Sequence, residues 1–276
     1  MLHQQWLVLL QQKKMCIDVV HVEAGIRSGD MLMPEEINRI VTDSICDHFF
    51  TTSVTANENL LSIAIPKERI HFVGNTMIDT LYQNLNKLRK PPFWDEWDLK
   101  EKNFFLLTLH RPSNVDDPDK LKTLLTSISL SAENFKIIFP VHPRTRKILD
   151  NIEMDSNRLI MTDPLGYHEF IYLVQNAKAI ITDSGGITEE ATVLKVPCLT
   201  LRNTTERPET VNMGTNELVG DDFKKLEGYL KNIIAGNWKE GSIPPLWDGK
   251  TAVRIINKLI ELYSPVPISV LINKVL

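Results

Sequence analysis

Ile180-Ile181-Thr182-Asp183-Ser184-Gly185-Gly186-Ile187-Thr188-Glu189-Glu190 is the stretch from which the fold can be read. The run from Ala177 to Ile181, broken only by Lys178, predicts a buried strand, and the segment from Ile187 onward predicts a helix. Between them a Ser-Gly-Gly turn opens the helix. Backbone amides at a helix start lack intrahelical partners and the helix dipole favours negative charge there. Two glycines let a ligand approach the backbone closely. On these residues alone two readings stand open: a nucleotide-diphosphate pocket, or an ordinary strand-to-helix turn.

Working outward, strands are expected at 104–109, 136–141, 159–161, 179–182, 198–201 and 217–219. Helices are expected at 118–130, 143–151, 168–175, 187–194, 207–213 and 221–234, with a final one at 250–263. The strands are continuously apolar, which argues for a parallel sheet covered on both faces. The first part of the chain predicts a helix at 5–14 and strands at 15–22, 48–52 and 70–73. Helices are expected there at 34–45, 55–63 and 76–88. In the 34–45 helix, Pro34 opens the first turn and the apolar positions Ile37, Ile40, Val41 and Ile45 are expected on one face. The tail 264–276 is apolar and carries no motif. The expected class is α/β, with a boundary giving one domain at 1–76 and a second at 77–276 that ends in a crossover helix. About three strands in the first domain against about six in the second leave the first incomplete as a doubly wound sheet.

Composition narrows the function. The chain has 276 residues and a net charge of -4, without the basic footprint of a nucleic-acid binder. No apolar run approaches the ~20 residues that span a bilayer, and the first residues lack the pattern of a signal peptide. Cys16, Cys46 and Cys198 are widely spaced in or beside apolar stretches and are expected to be reduced core thiols of a cytoplasmic protein. No metal-ligand spacing, nucleophile elbow, Walker loop or dinucleotide fingerprint occurs, so neither a metal nor a cofactor is expected.

Chemistry-bearing residues gather at strand ends. His21–Asp30 (HVEAGIRSGD) places Glu23, Arg27 and Asp30 around two glycines. In Pro34–Arg39 (PEEINR), Glu35 and Arg39 are four apart and share a helix face. That spacing equally fits a surface ion pair, and the nearby Glu23 is what favours a site, since paired carboxylates suit proton abstraction and return. His110 in TLHRPSN and His142 in PVHP each end a strand, and either fits a ligand contact or a structural hydrogen bond. In RNTTERPE (Arg202–Glu209), Arg207 is expected beside the Ser-Gly-Gly turn, with Arg202 and the threonines as further donors. An aromatic at Tyr167 or Phe170 suits stacking on a base or ordinary core packing.

Taken together, HVEAGIRSGD, PEEINR, GNTMID, TLHRPSN, PVHP, TDSGGITEEA and RNTTERPE resemble the non-hydrolysing UDP-N-acetylglucosamine 2-epimerases, in the family's order. The resemblance covers about residues 17–263. It implies a glycosyltransferase-B-like architecture of two Rossmann-like domains, the first apparently lacking its N-terminal part: the family's GTRPE-like and GDT-type loops are not found here. It implies interconversion of UDP-GlcNAc and UDP-ManNAc by removal of the C2 proton with UDP elimination, then re-addition, for cell-surface polysaccharide precursors. The alternatives are an epimerase of a related UDP-diacetamido sugar or an inactive UDP-binding remnant. By motif match Glu23, Glu35, Arg39 and His110 resemble the catalytic set. Ser184, Gly185 and Gly186 resemble the diphosphate turn, Glu190 the ribose ligand, Arg207 a phosphate ligand, Phe170 the uracil contact, and His142 a further substrate contact. The implied partners are a UDP-sugar substrate and a second copy in a homodimer, with no nucleic acid and no membrane.

Overall fold

The computed structural model describes residues 2–152 and 158–264. In chain order the first elements are α1 (Leu2–Lys14), β1 (Val20–Ala24), α2 (Pro34–Ile45), β2 (His48–Thr51), α3 (Val54–Ser62), β3 (Ile70–Phe72) and α4 (Thr76–Asn84). Then come β4 (Phe104–Thr108), α5 (Pro112–Val115), α6 (Pro118–Ser131), β5 (Lys136–Pro140), α7 (Pro143–Leu149), β6 (Leu159–Thr162), α8 (Tyr167–Asn176) and β7 (Ala179–Thr182). The last are α9 (Ile187–Val193), β8 (Cys198–Thr200), α10 (Pro208–Asn212), β9 (Asn216–Leu218), α11 (Phe223–Ile234) and α12 (Thr251–Tyr263). The fold is α/β with parallel sheets, as expected.

The chain divides into two compact units: 1–83 with 244–276, and 84–243. This differs from a division at 76/77, because α12 belongs with the first strands. Asp79 accepts from the Thr251 and Ala252 amides at 2.9 and 2.7 Å, and Trp247, almost fully buried, donates to Thr52 O at 3.0 Å. Those contacts join segments some 170 or more positions apart. Burying a side chain of this size is worth roughly 2–3 kcal/mol on transfer grounds.

In the first unit the strands run β1-β2-β3, all parallel, with Phe49 and Phe50 of the central strand fully buried. In the second the order is β6-β5-β4-β7-β8-β9, also parallel. Phe104–Leu107 of β4 and Ala179–Ile181 of β7 are wholly buried, which explains their unbroken apolar sequence. Asp117 and Asp222 cap α6 and α11 by accepting backbone amides, so those helices start where the sequence changes to an apolar period.

The structure departs from the sequence reading in several places. β1 starts at Val20 and not at Met15, because Met15 and Cys16 close α1: the Met15 amide donates to Gln11 O at 3.1 Å and Cys16 has φ +56°. Cys16 is therefore exposed, whereas Cys46 and Cys198 are buried and burial pushes both thiols up to about 12. The expected apolar face of α2 is not the buried one. Ile37 and Ile40 are exposed, and the buried residues of this helix are Glu36 and Asp43. The short α5 was not expected. The tail from 265 onward lies outside the described residues. Among those described, no helix is long and apolar enough to cross a membrane.

Candidate active site

The strand order of the second unit reverses between β4 and β7: the chain runs outward from β4 to β6, then returns to the other side of β4. In open α/β sheets ligands bind beyond the carboxyl ends of the strands at such a reversal. Thr108 and Thr182 are register partners there, their hydroxyls 2.6 Å apart. Beyond them lie His110, one residue past Leu109 after β4, and Asp183-Ser184-Gly185-Gly186 directly after β7.

Asp183 ties the two strand ends together. It has no exposed surface, and its carboxylate accepts the His110 amide (3.1 and 3.2 Å), the Arg111 amide (3.0 Å), Asn114 Nδ2 (3.1 Å) and His110 Nδ1 (2.7 Å). Burial pushes this carboxyl up, but the hydrogen bonds from His110, Arg111 and Asn114 outweigh it and hold it below the ordinary value. The His110 ring itself is 57% exposed, so one edge is anchored and the other open.

The turn beside it is built for close approach. Ser184, Gly185 and Gly186 are partly accessible, while every residue of α9 behind them is buried. The Ser184 amide donates to Thr182 Oγ1 at 2.9 Å. A Cβ added at Gly185 would lie 3.2 Å from Glu206 Oε2 and 3.3 Å from Arg202 Nη1, so any side chain there fills the space beside a guanidinium. Arg202, which pairs with Glu206 at 3.0 Å, is thus a cation at the turn. Arg207 holds Glu189 of α9 through Nε at 2.7 Å. Glu190 is buried, which raises its pKa, and its Oε1 accepts from Tyr167 OH at 3.0 Å. Phe170 follows Tyr167 by three on α8 and so shares its face. His142 is exposed just beyond β5, the strand next to β4.

In the first unit, Glu23 sits in a bulge of β1, where the register with β2 shifts between Val22 and Ala24. Its φ is +65°, a left-handed conformation that costs a non-glycine residue about 1–2 kcal/mol. Gly25 follows with φ +75°, and a Cβ there would collide with Ala56 O, so the backbone is fixed on both sides. Thr76 Oγ1 donates to Glu23 Oε1 at 3.0 Å. The loop after the bulge is held by two carboxylates of α2. Glu36 accepts the Ser28 and Gly29 amides (2.9 and 3.1 Å) and pairs with Arg39 at 2.8 Å. Asp43, fully buried, accepts His21 Nδ1 and Arg27 Nη2, both at 2.6 Å, and the Gly25 amide at 3.2 Å. Glu35 is exposed, one residue before the structural carboxylate.

His110 and the Ser184–Gly186 turn therefore come together at adjacent strand ends. Glu23, Glu35 and Arg39 belong to the other unit. The sequence reading missed Glu36 and Asp43 as loop anchors and Asp183 as the link between His110 and the turn. Among the described residues no cluster of three or more His, Cys, Asp or Glu is arranged around a metal position.

These anchors set an acid limit. Burial raises the Glu36 carboxyl, but Arg39 and the Ser28 and Gly29 amides hold it below its ordinary value, as the partners of Asp183 do for that group. With the folded pKa depressed, the unfolded chain binds more protons in that window, so stability rises with pH through it. The contribution is complete above the unfolded carboxylate value of about 4 and is lost as pH falls through the folded values. The thermal midpoint should drop below about pH 4, and Glu36→Gln should flatten that drop. An equal slope in the variant would contradict the assignment.

A parallel sheet whose reversal presents a histidine-bearing loop and a glycine turn marks the open-sheet α/β class of ligand-binding proteins. The family model described as UDP-N-acetylglucosamine 2-epimerase matches residues 8–260, and the chain belongs to that family of isomerases. A relative named UDP-N-acetylglucosamine 2-epimerase in Methanocaldococcus jannaschii is 44% identical over 263 residues, covering 91% of this chain and 70% of its own length. One of the same name in Methanococcus maripaludis is 42% identical, covering 90% and 70%. The solved M. jannaschii UDP-GlcNAc 2-epimerase in complex with UDP-GlcNAc and UDP matches with a TM-score of 0.76 at 42% identity, covering 91% of this chain and 72% of that one.

Proposed function

We propose that this chain interconverts UDP-N-acetylglucosamine and UDP-N-acetylmannosamine. Glu23 and Glu35 handle the sugar C2 proton, with Arg39 beside them. As C2 loses its proton, the C1–O bond to UDP breaks, leaving 2-acetamidoglucal and UDP. UDP then adds back with protonation on the opposite face. His110 exchanges a proton with the departing phosphate oxygen through Nε2. The Ser184-Gly185-Gly186 turn, through the Gly185 and Gly186 amides, and the guanidiniums of Arg202 and Arg207 stabilise the diphosphate. Glu190 takes the ribose hydroxyls, Phe170 stacks on uracil, and His142 adds a contact to the substrate. The product serves polysaccharide precursor synthesis in the cytoplasm, and the working form is a homodimer.

The observation that carries this reading is Glu23, a carboxylate kept in a costly backbone conformation at a strand end and oriented by Thr76. Such strain persists only where the surroundings over-determine it, and it clusters at functional positions. The relative solved with UDP-GlcNAc and UDP supports the choice of substrate. The test is incubation with UDP-GlcNAc followed by chromatography. UDP-ManNAc is the expected product. Free ManNAc with stoichiometric UDP, or no conversion, contradicts the reading.

A further inference from the structure

We propose that Asp183 is a positioning residue that fixes the tautomer of His110, and through it couples the diphosphate turn to the proton-exchanging imidazole. This rests on the assignment of His110 above. Asp183 stands directly before Ser184, and its carboxylate is the acceptor for both the backbone and the ring of His110. The two oxygens have different duties. Oδ2 accepts from Arg111 N and Asn114 Nδ2, and the His110 amide is shared between the two oxygens, 3.1 Å from Oδ1 and 3.2 Å from Oδ2; all three are obligate donors. Oδ1 faces His110 Nδ1 at 2.7 Å. A carboxylate can only accept, so the neutral ring carries its proton on Nδ1 and leaves Nε2 as the site that gains and gives up a proton. The ring is exposed while the carboxylate is fully buried, so the bond orients the imidazole from its inner edge.

The same geometry says what an amide would do. In Asp183→Asn the side-chain oxygen must stay at the Oδ2 position, since an NH2 there would face three donors. The NH2 then faces His110 Nδ1, which must accept. The neutral ring is driven to the Nε2–H form, and the outward nitrogen no longer takes a proton. The loop keeps most of its hydrogen bonds, so the defect is in the ring and not in the fold.

The experiment is long-range 15N NMR of the imidazoles in the full, ligand-free chain at a pH where the ring is neutral, with kinetics on UDP-GlcNAc alongside. The expected result is an Nδ1–H ring at His110 in the parent and an Nε2–H ring in Asp183→Asn. With it, kcat should fall about 10²–10⁴-fold, the loss that follows when a histidine's orienting carboxylate becomes an amide, while KM stays within about threefold. An Nε2–H ring in the parent overturns the proposal even if the variant fails to fold, and so does a variant kcat within about threefold of the parent. Should the parent not turn over UDP-GlcNAc at all, the assigned reaction fails, and the two tautomers alone decide the role of Asp183.

Discussion

Glu23→Gln lowers turnover of UDP-N-acetylglucosamine by about 10³-fold, within the range for loss of a general acid or base, and leaves the thermal midpoint nearly unchanged. The substitution is isosteric. Gln retains an oxygen to accept from Thr76 Oγ1, and the bulge that holds residue 23 at φ +65° is set by the backbone and by Gly25. What is lost is the capacity to take a proton. The expected pattern is a fall in kcat with little change in KM, because the variant removes a transition-state interaction and leaves ground-state binding alone. A variant retaining a third or more of parental kcat would show that Glu23 is strained for some other reason.

The largest expected effect on stability is that of Asp43→Ala. Asp43 has no exposed surface and is the shared partner of His21, Arg27 and the Gly25 amide. A buried ion pair adds little net stability compared with an apolar substitute, but removing one partner strands the other and typically costs about 3–5 kcal/mol. The Arg27 guanidinium, only 17% exposed, would be left with Ile26 O at 2.8 Å as its remaining described partner. In denaturant the first unit should therefore unfold earlier by about that amount, while the transition of residues 84–243 stays in place. A loss below about 1 kcal/mol would mean that water relieves the stranded charge.

The second sheet was legible because its strands are buried on both faces, which leaves β4 and β7 apolar up to the threonine that ends each of them. His110 and the Ser184–Gly186 turn could be found for a related reason: His110 and Ser184 lie within three residues of the ends of such runs. The anchoring carboxylates were not legible. α2 carries an apolar stripe, and periodicity assigns that stripe to the core, yet the structure buries Glu36 and Asp43. Their burial is decided by the amides and guanidiniums of a loop that lies up to 18 positions earlier in the chain, which no local pattern encodes. Asp183 was hidden differently. It lies within the very stretch that fixed the fold, but its partners are about 70 residues away on β4's loop, and only the strand order shows that β4 and β7 are neighbours. The helix at 250–263 could be seen, and the resemblance implied that it crosses back to the first domain; the contacts that tie it to the first strands, made by Asp79 and Trp247, span 172 and 195 positions.

Removal and return of the sugar C2 proton is the proposed step on which the other residue roles depend. A proton NMR time course with UDP-GlcNAc in deuterated water tests it most directly. The H2 signal of the sugar should disappear as deuterium enters at C2, and ManNAc-type signals should grow alongside it. A sugar H2 signal that persists while the uridine signals broaden would contradict that step, leaving a protein that binds the nucleotide without doing the chemistry.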